Sequence, residues 1–225
     1  MQCNHHSCLH VVPLFRNLDA EQMQAITAIT HERHFTKGQL IYYAGEESGS
    51  LIVVHTGNVK VYRLDSEGEQ QVMRVITPGE FTGELALFSR EPVQDFAQAL
   101  SDCELCMIDG EEMRSIMVQY PTIALTITQE LSRRLSRSDA SLHGIAKGTV
   151  EQRLAGYLVQ LQQKVKNNQI QLPVTKGTVA SLLAMSQETL SRRLKILQDE
   201  GVIEMGKGRK ITILDAEALQ MRTLQ

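Results

Sequence analysis

Four side chains near the C-terminus carry the clearest chemistry in the sequence. Glu188, Ser191, Arg192 and Lys195 recur at i, i+3, i+4 and i+7, so on a helix they share one face. An arginine can bond the O6/N7 edge of guanine with two parallel donors. A glutamate can accept from the cytosine amine, a serine can serve either role, and a lysine neutralises a phosphate. A solvated helix face with an ordinary charge mix is the commoner meaning of such a stripe in general, so the weight rests on what surrounds it.

The surroundings favour nucleic acid. Leu190, Leu194 and Leu197 recur at i, i+4 and i+7 and read as the buried side of the same helix. Ser186 before it is a good N-cap, because its hydroxyl can accept from a free amide of the first turn. Upstream, Val179, Leu182 and Leu183 mark a shorter helix, and the break falls at Ala184-Met185-Ser186. Downstream, Val202 to Leu214 reads as strand, glycine-punctuated basic turn and strand. Helix, break, helix and hairpin make a winged helix-turn-helix. Base reading is expected from Glu188, Ser191 and Arg192, and phosphate contacts from Gln187, Lys195, Lys207, Arg209 and Lys210.

The second set of reactive groups is the cysteines. Cys3 and Cys8 stand among His5, His6 and His10, and Cys103 and Cys106 form a C-x-x-C in an apolar stretch. In a cytosolic chain four cysteines point to metal, cluster or redox chemistry before structural disulfides. Zinc held by mixed cysteine and histidine ligands is one reading. A buried core role for Cys106, with a loose N-terminal tail, is the plain alternative. A thiol oxidoreductase is a different class of function. It needs its C-x-x-C at a helix N-terminus, where the dipole lowers the thiol pKa, whereas Cys103-Glu-Leu-Cys106 runs into a strand beside Asp102 and Glu104. The chain is therefore not expected to be an enzyme.

The elements that must position these groups follow from patterning. The net charge of −3 over 225 residues divides into −8 for residues 1–146 and +5 for 147–225, which fits a sensor joined to a polyanion-binding module. No apolar run reaches the roughly 18 residues of a membrane span, and the start lacks a secretory pattern, so a cytoplasmic location is expected with no membrane partner. Asp19 caps a short amphipathic helix carrying Met23 and Ile26. From about 32 to 108, short apolar runs alternate with glycine-bearing turns, which predicts an antiparallel β-roll with a hairpin tip at Asp65–Gly68. After Pro121 a long helix carries Ile127, Leu131, Leu135 and Leu142 at near-heptad spacing. This is read as the seam of a parallel homodimer, which would set two recognition helices about one DNA turn apart on a palindromic site. The expected fold is α+β: a β-roll sensor over 1–118, a dimerisation helix over 119–146 and a winged helix-turn-helix over 147–225.

This order resembles the cyclic-AMP-receptor/fumarate-nitrate-regulator (CRP/FNR) superfamily of bacterial transcription regulators. The echoes are Gly83-Glu-Leu85, Phe96-Ala-Gln-Ala-Leu100, Val150-Glu-Gln-Arg-Leu-Ala155 and the recognition helix, whose Glu188-x-x-Ser191-Arg192 is similar to the FNR branch. The resemblance implies that Arg192 bonds guanine in a TTGAT-like half-site, that Glu188 and Ser191 set the neighbouring positions, and that RNA polymerase is a partner. Cyclic AMP is disfavoured. The family's cyclic-nucleotide binders follow Gly-Glu-Leu with an Arg-Ser or Arg-Thr pair, and here Gln94-Asp95 stands in its place. The resemblance also implies two fates for Cys3, Cys8 and Cys106. One is an iron–sulfur cluster of the FNR type, with Cys103 or a histidine making up the missing fourth ligand. The other is a reversible disulfide, as in the FNR-like Flp proteins of Gram-positive bacteria.

Overall fold

The computed structural model of the chain describes residues 9, 12, 15, 18–47, 49–89 and 91–224, with the backbone alone for 86, 87, 134 and 136–147. The chain divides into two compact units: the first runs to Leu135 apart from Glu69–Val72, and the second comprises Glu69–Val72 together with the chain from Ser136 onward. The fold is α+β, as the patterning predicts.

The first unit opens on α1 (Ala20–Ala28). Asp19 caps it with a full capping box: its carboxylate accepts from the Gln22 amide at 2.9 Å, and the Gln22 side chain accepts in return from the Asp19 amide at 3.3 Å. The roll follows as β1 (Thr30–Phe35), β2 (Leu40–Tyr42), β3 (Ser50–Thr56), β4 (Val59–Leu64), β5 (Gln70–Ile76), β6 (Phe81–Thr82), β7 (Phe96–Ala99) and β8 (Cys103–Asp109), with a one-turn helix α2 (Leu85–Phe88) between β6 and β7. Two antiparallel four-stranded sheets result, ordered β1-β8-β3-β6 and β2-β7-β4-β5. The hairpin tip falls at Asp65–Gly68, closed by Gly68 N–H to Asp65 C=O.

The pleat of β8 separates two cores. Cys103 and Leu105 turn inward and pack with Ile52, Val54, Val61, Ala97 and Ala99 between the sheets. Cys106 and Ile108 turn the other way, toward α1, α3 (Gly110–Gln119) and the root of α4 (Pro121–Lys147). That second core holds Met23, Ile26, Met113, Ile116, Ile123 and Ile127, and it also takes in Leu9, Val12 and Phe15.

Here the expected seam needs correction. Ile127 is 0% exposed and belongs to the core under the roll, and Leu131 packs partly against the same cluster. These two cannot serve a partner helix while they face their own roll. Among the described side chains of this stretch, the exposed large apolar ones are Leu125 and Leu135, each 63% exposed. The side chain of Leu142 lies outside the described residues.

The second unit contains α5 (Val150–Val165), β9 (Gln169–Gln171), α6 (Lys176–Leu182), α7 (Gln187–Asp199), β10 (Ile203–Met205), β11 (Lys210–Ile213) and α8 (Ala216–Met221). Thr149 closes a capping box with Gln152 at the start of α5. Its core gathers Leu154 and Leu158 from α5, Val179 from α6, the leucine stripe of α7, Ile203, Ile211 and Leu219. The wing is a three-stranded antiparallel sheet ordered β10-β11-β9.

Candidate nucleic-acid interface

The side chains of α7 divide by its helical period. Leu190, Leu194 and Leu197 are buried at 0%, 1% and 2% exposure, and Glu188, Ser191, Arg192 and Lys195 are all exposed. The burial of each leucine stabilises the unit by roughly 1.5–3 kcal/mol, so the helix cannot rotate its polar stripe inward without losing that contribution. Ser186 fixes the start of the helix. Its hydroxyl accepts from the Thr189 amide at 3.1 Å and donates to Thr189 Oγ1 at 2.9 Å. The turn from α6 passes through Ala184 at φ 49°, a left-handed conformation that side chains other than glycine adopt at a cost. Met185 N–H to Ala180 C=O, at 3.0 Å, helps to hold it there.

Two arginines stand side by side on α7 with different surroundings. Arg193 is half-buried and pairs with Glu151 of α5 at 3.6 Å. Glu151 also takes an ion pair from Arg222, which reaches Glu200 at 2.7 Å. That network braces the back of α7 against α5 and the C-terminal turn. Among the described residues, Arg192 and Lys195 have no ion pair or side-chain hydrogen bond recorded, and both project to solvent. Sequence reasoning passed over Arg193, Glu151, Glu200 and Arg222; the pairing of basic residues on one element with acidic ones on another gives no local signal.

On the wing, Gly206 to Arg209 link β10 to β11, and Lys207, Arg209 and Lys210 are exposed. Arg209 is only partly available, because one guanidinium N–H donates to the Pro173 carbonyl at 2.9 Å and ties the wing tip to the segment ahead of α6. Gln187, the first residue of α7, is exposed beside Glu188.

Cys103 and Cys106 are not brought together. Cys103 and Cys106 sit on opposite faces of β8, in different cores, and three residues of strand span about 10 Å. A disulfide needs Cα atoms within about 7 Å, so they form neither a pair nor half of one ligand set. This overturns Cys103 as a companion ligand to Cys106. Burial pushes the Cys103 thiol up. A hydrogen bond with the Ser101 side chain pulls the other way, and the nearby Asp102 charge adds to the rise. An oxidoreductase needs the opposite shift. Cys106 is 1% exposed among the apolar side chains that root α3 and α4. Cys3 and Cys8 lie outside the described residues.

The roll also encloses a cavity of about 230 Å³ whose walls include Tyr42, Arg63, Arg74, Thr82, Glu84 and Asp95. Gly83 at its edge is required by close approach: at φ 80° a Cβ there would lie 2.3 Å from the Ser50 carbonyl oxygen. Gly83-Glu84-Leu85 thus has a scaffold role in the roll. The cavity's cations are already matched by its own carboxylates. Arg63 bonds Asp95 at 2.9 Å, and Arg74 bonds Glu84 at 3.3 Å and Thr82 at 2.7 Å. With both arginines engaged by carboxylates, and Asp95 itself anionic, this donor set fits a cyclic phosphate poorly.

The comparisons agree with this geometry. Residues 32–120 match the cyclic nucleotide-binding domain family and residues 152–222 match the Crp-like helix-turn-helix domain family. The chain is 31% identical over 215 residues to a probable transcriptional regulator flp of Lacticaseibacillus casei, covering 96% of this chain and 97% of that protein. It is 28% identical to the cyclic AMP receptor protein of Thermus thermophilus, covering 87% and 90% of the two chains. Among solved structures, FixK2 from Bradyrhizobium japonicum superposes with a TM-score of 0.77 at 20% identity, over 86% of this chain and 96% of that one, a likeness of fold. With a β-roll, a long helix and a winged helix-turn-helix in this order, and with relatives matched along nearly its whole length, the chain belongs to the CRP/FNR superfamily of helix-turn-helix transcription regulators.

Proposed function

We propose that this regulator binds a palindromic, FNR-like duplex site as a homodimer, and that a thiol/disulfide change linking the N-terminal leader to Cys106 switches the binding. The observation that carries the DNA-reading part is the division of α7: a fully buried leucine stripe holds Glu188, Ser191, Arg192 and Lys195 outward, with exposed wing cations in the same unit. Arg192 bonds guanine, Glu188 and Ser191 set the adjoining positions, and Gln187, Lys195, Lys207, Lys210 and the free part of the Arg209 guanidinium hold phosphates. The dimer forms along α4, with Leu135 and Leu142 kept in the seam and Leu125 taking over from Ile127 and Leu131. The organisation is a roll over 1–118, a dimer helix over 119–146 and a DNA-binding unit over 147–225, working in the cytoplasm beside RNA polymerase. Among the described residues no helix is long and apolar enough to cross a membrane.

The disulfide reading is favoured over the cluster for a stated reason. With Cys103 on the far face of β8, only Cys3, Cys8 and Cys106 remain, one thiolate short of a four-cysteine cluster. Leu9, next to Cys8 in sequence, is fully buried in the same core cluster as Cys106. Two thiols would join with loss of two protons and two electrons to dioxygen or another two-electron acceptor. Zinc held by leader cysteines and histidines is the second reading. Cyclic AMP is not the effector, since Asp95 and Glu84 already occupy the cavity's arginines.

Selection from a pool of random duplexes, run with reduced anaerobic protein and with air-exposed protein, tests both parts. The expected result is one enriched palindrome with different affinity in the two states, and loss of that difference in Cys106→Ser. No enriched duplex in either state would overturn the DNA reading. Equal affinities, or a difference that survives Cys106→Ser, would overturn the switch.

A further inference from the structure

We propose that the outer face of the β1-β8-β3 sheet holds a thiol-free site for a divalent transition-metal cation, with Zn²⁺ the best match. Glu32 and His34 of β1 and Glu104 of β8 each offer a ligand atom, and these atoms lie within 4.8 Å of one another. His34 Nε2 is 3.6 Å from Glu32 Oε1, close to the roughly 3.4 Å that separates two ligand atoms on a tetrahedral zinc with bonds of about 2.0–2.1 Å. His55 of β3 adds a second imidazole, its Nε2 4.0 Å from Glu104 Oε2.

The sheet itself positions this cluster. His34 is the direct cross-strand partner of Glu104, and Glu32, two residues earlier, points to the same face by the period of the strand. On the other side of β8, His55 follows Leu51 and Val53 on the Glu104 face by the strand's alternation, and the register shifts between Val54 and Thr56 so that Thr56 is the partner of Glu104. Thr56 Oγ1 donates to Glu104 Oε2 at 3.2 Å, so the carboxylate already has an orienting partner of the kind that metal ligands have. The site is partly sheltered: the side chains of Glu32 and His55 are 19% and 21% exposed.

The chemistry of the donors selects the ion. Two carboxylates balance one dication, the His34 imidazole adds a nitrogen donor, and His55 or a water would supply the fourth position of a tetrahedral site. Ca²⁺ and Mg²⁺ prefer six or more oxygens, so the imidazoles argue against them. No thiolate is in the set, which distinguishes it from any cysteine site, although Glu32 is the cross-strand partner of Cys106. The site stands independently of the DNA-reading and redox proposals.

The test uses Co²⁺, which reports its ligands through colour, on the full chain carrying Cys3→Ser and Cys8→Ser so that the leader thiols do not compete. The expected result is one Co²⁺ per chain with the comparatively intense visible bands of a four-coordinate ion and no near-ultraviolet thiolate-to-metal band, displaced by Zn²⁺. His34→Ala and Glu104→Gln, each checked for an unchanged circular dichroism spectrum, should weaken binding more than about tenfold. Glu104→Gln keeps an acceptor for Thr56, so its effect reports the lost charge rather than a lost fold. Stoichiometric Co²⁺ in His34→Ala, a thiolate band in the spectrum, or loss of binding in the Cys3→Ser/Cys8→Ser chain would each overturn the proposal.

Discussion

Replacing Arg192 and Arg193 by alanine separates a base-reading side chain from a structural one on adjacent positions. Arg192 is exposed, whereas Arg193, about 100° further round the helix, is held by Glu151 at 3.6 Å. A bidentate arginine–guanine contact is worth about 1–3 kcal/mol of discrimination. A dimer on a palindrome loses two, or about 2–6 kcal/mol, which is a fall of about 30-fold to 20,000-fold in preference for the site over one with the guanine replaced. The Arg193–Glu151 pair is more than a third exposed on the arginine side, so Arg193→Ala should cost under about 1 kcal/mol of stability and leave the preference intact. Fluorescence anisotropy with the selected palindrome and its guanine-substituted partner, at one salt concentration, measures the ratio directly. Urea unfolding gives the stability. If Arg192→Ala keeps the wild-type ratio, or if Arg193→Ala loses it, α7 does not present the face assigned to it.

Other expectations follow from the same coordinates. About four phosphate-binding cations per protomer (Lys195, Lys207, Arg209 and Lys210) predict that log K falls with log salt at a slope near −7 for the dimer, and Lys207→Ala/Lys210→Ala should reduce that slope by about half; a flat response would contradict the wing contacts. Leu135→Asp should dissociate the dimer in sedimentation without destabilising the roll. Ile127→Ala should do the reverse, at about 2–5 kcal/mol, because that side chain lies in the core under the roll. Because burial raises the Cys103 thiol, its thiolate fraction at pH 8 lies below that of a free cysteine. Mass-spectrometric mapping should find Cys103 alkylated slowly in the folded chain and quickly in urea, and equal rates would contradict its burial.

Local pattern carried much of the architecture and little of the tertiary assignment. Asp19, Ser186, the leucines of α7 and the wing glycines are read within a few residues, and each element lies where its pattern puts it. Strand β1 was missed: Thr30-His-Glu-Arg-His-Phe35 is polar, and it joins the sheet through pairing with β8 rather than through its own hydrophobicity. Strands β6 and β9 are too short to show a period. Ile127 and Leu131 were placed in the seam for a related reason. A stripe on a long helix shows that a face is buried without naming what buries it, and Ile127 found its own roll before any partner. Cys103 and Cys106 look like a pair only while the strand's alternation is ignored. The Arg209 tether to Pro173 joins residues 36 apart, which no spacing rule reaches.

The placement of Cys106 has a mechanical corollary. Its sulfur shares one close-packed compartment with Ile116, Ile123 and Ile127, the side chains that anchor the base of the 27-residue helix. Packed interiors have little slack. Adding a bond or an atom at that sulfur would therefore press directly on the side chains that root this helix in the roll, and so on the first turns that hold it.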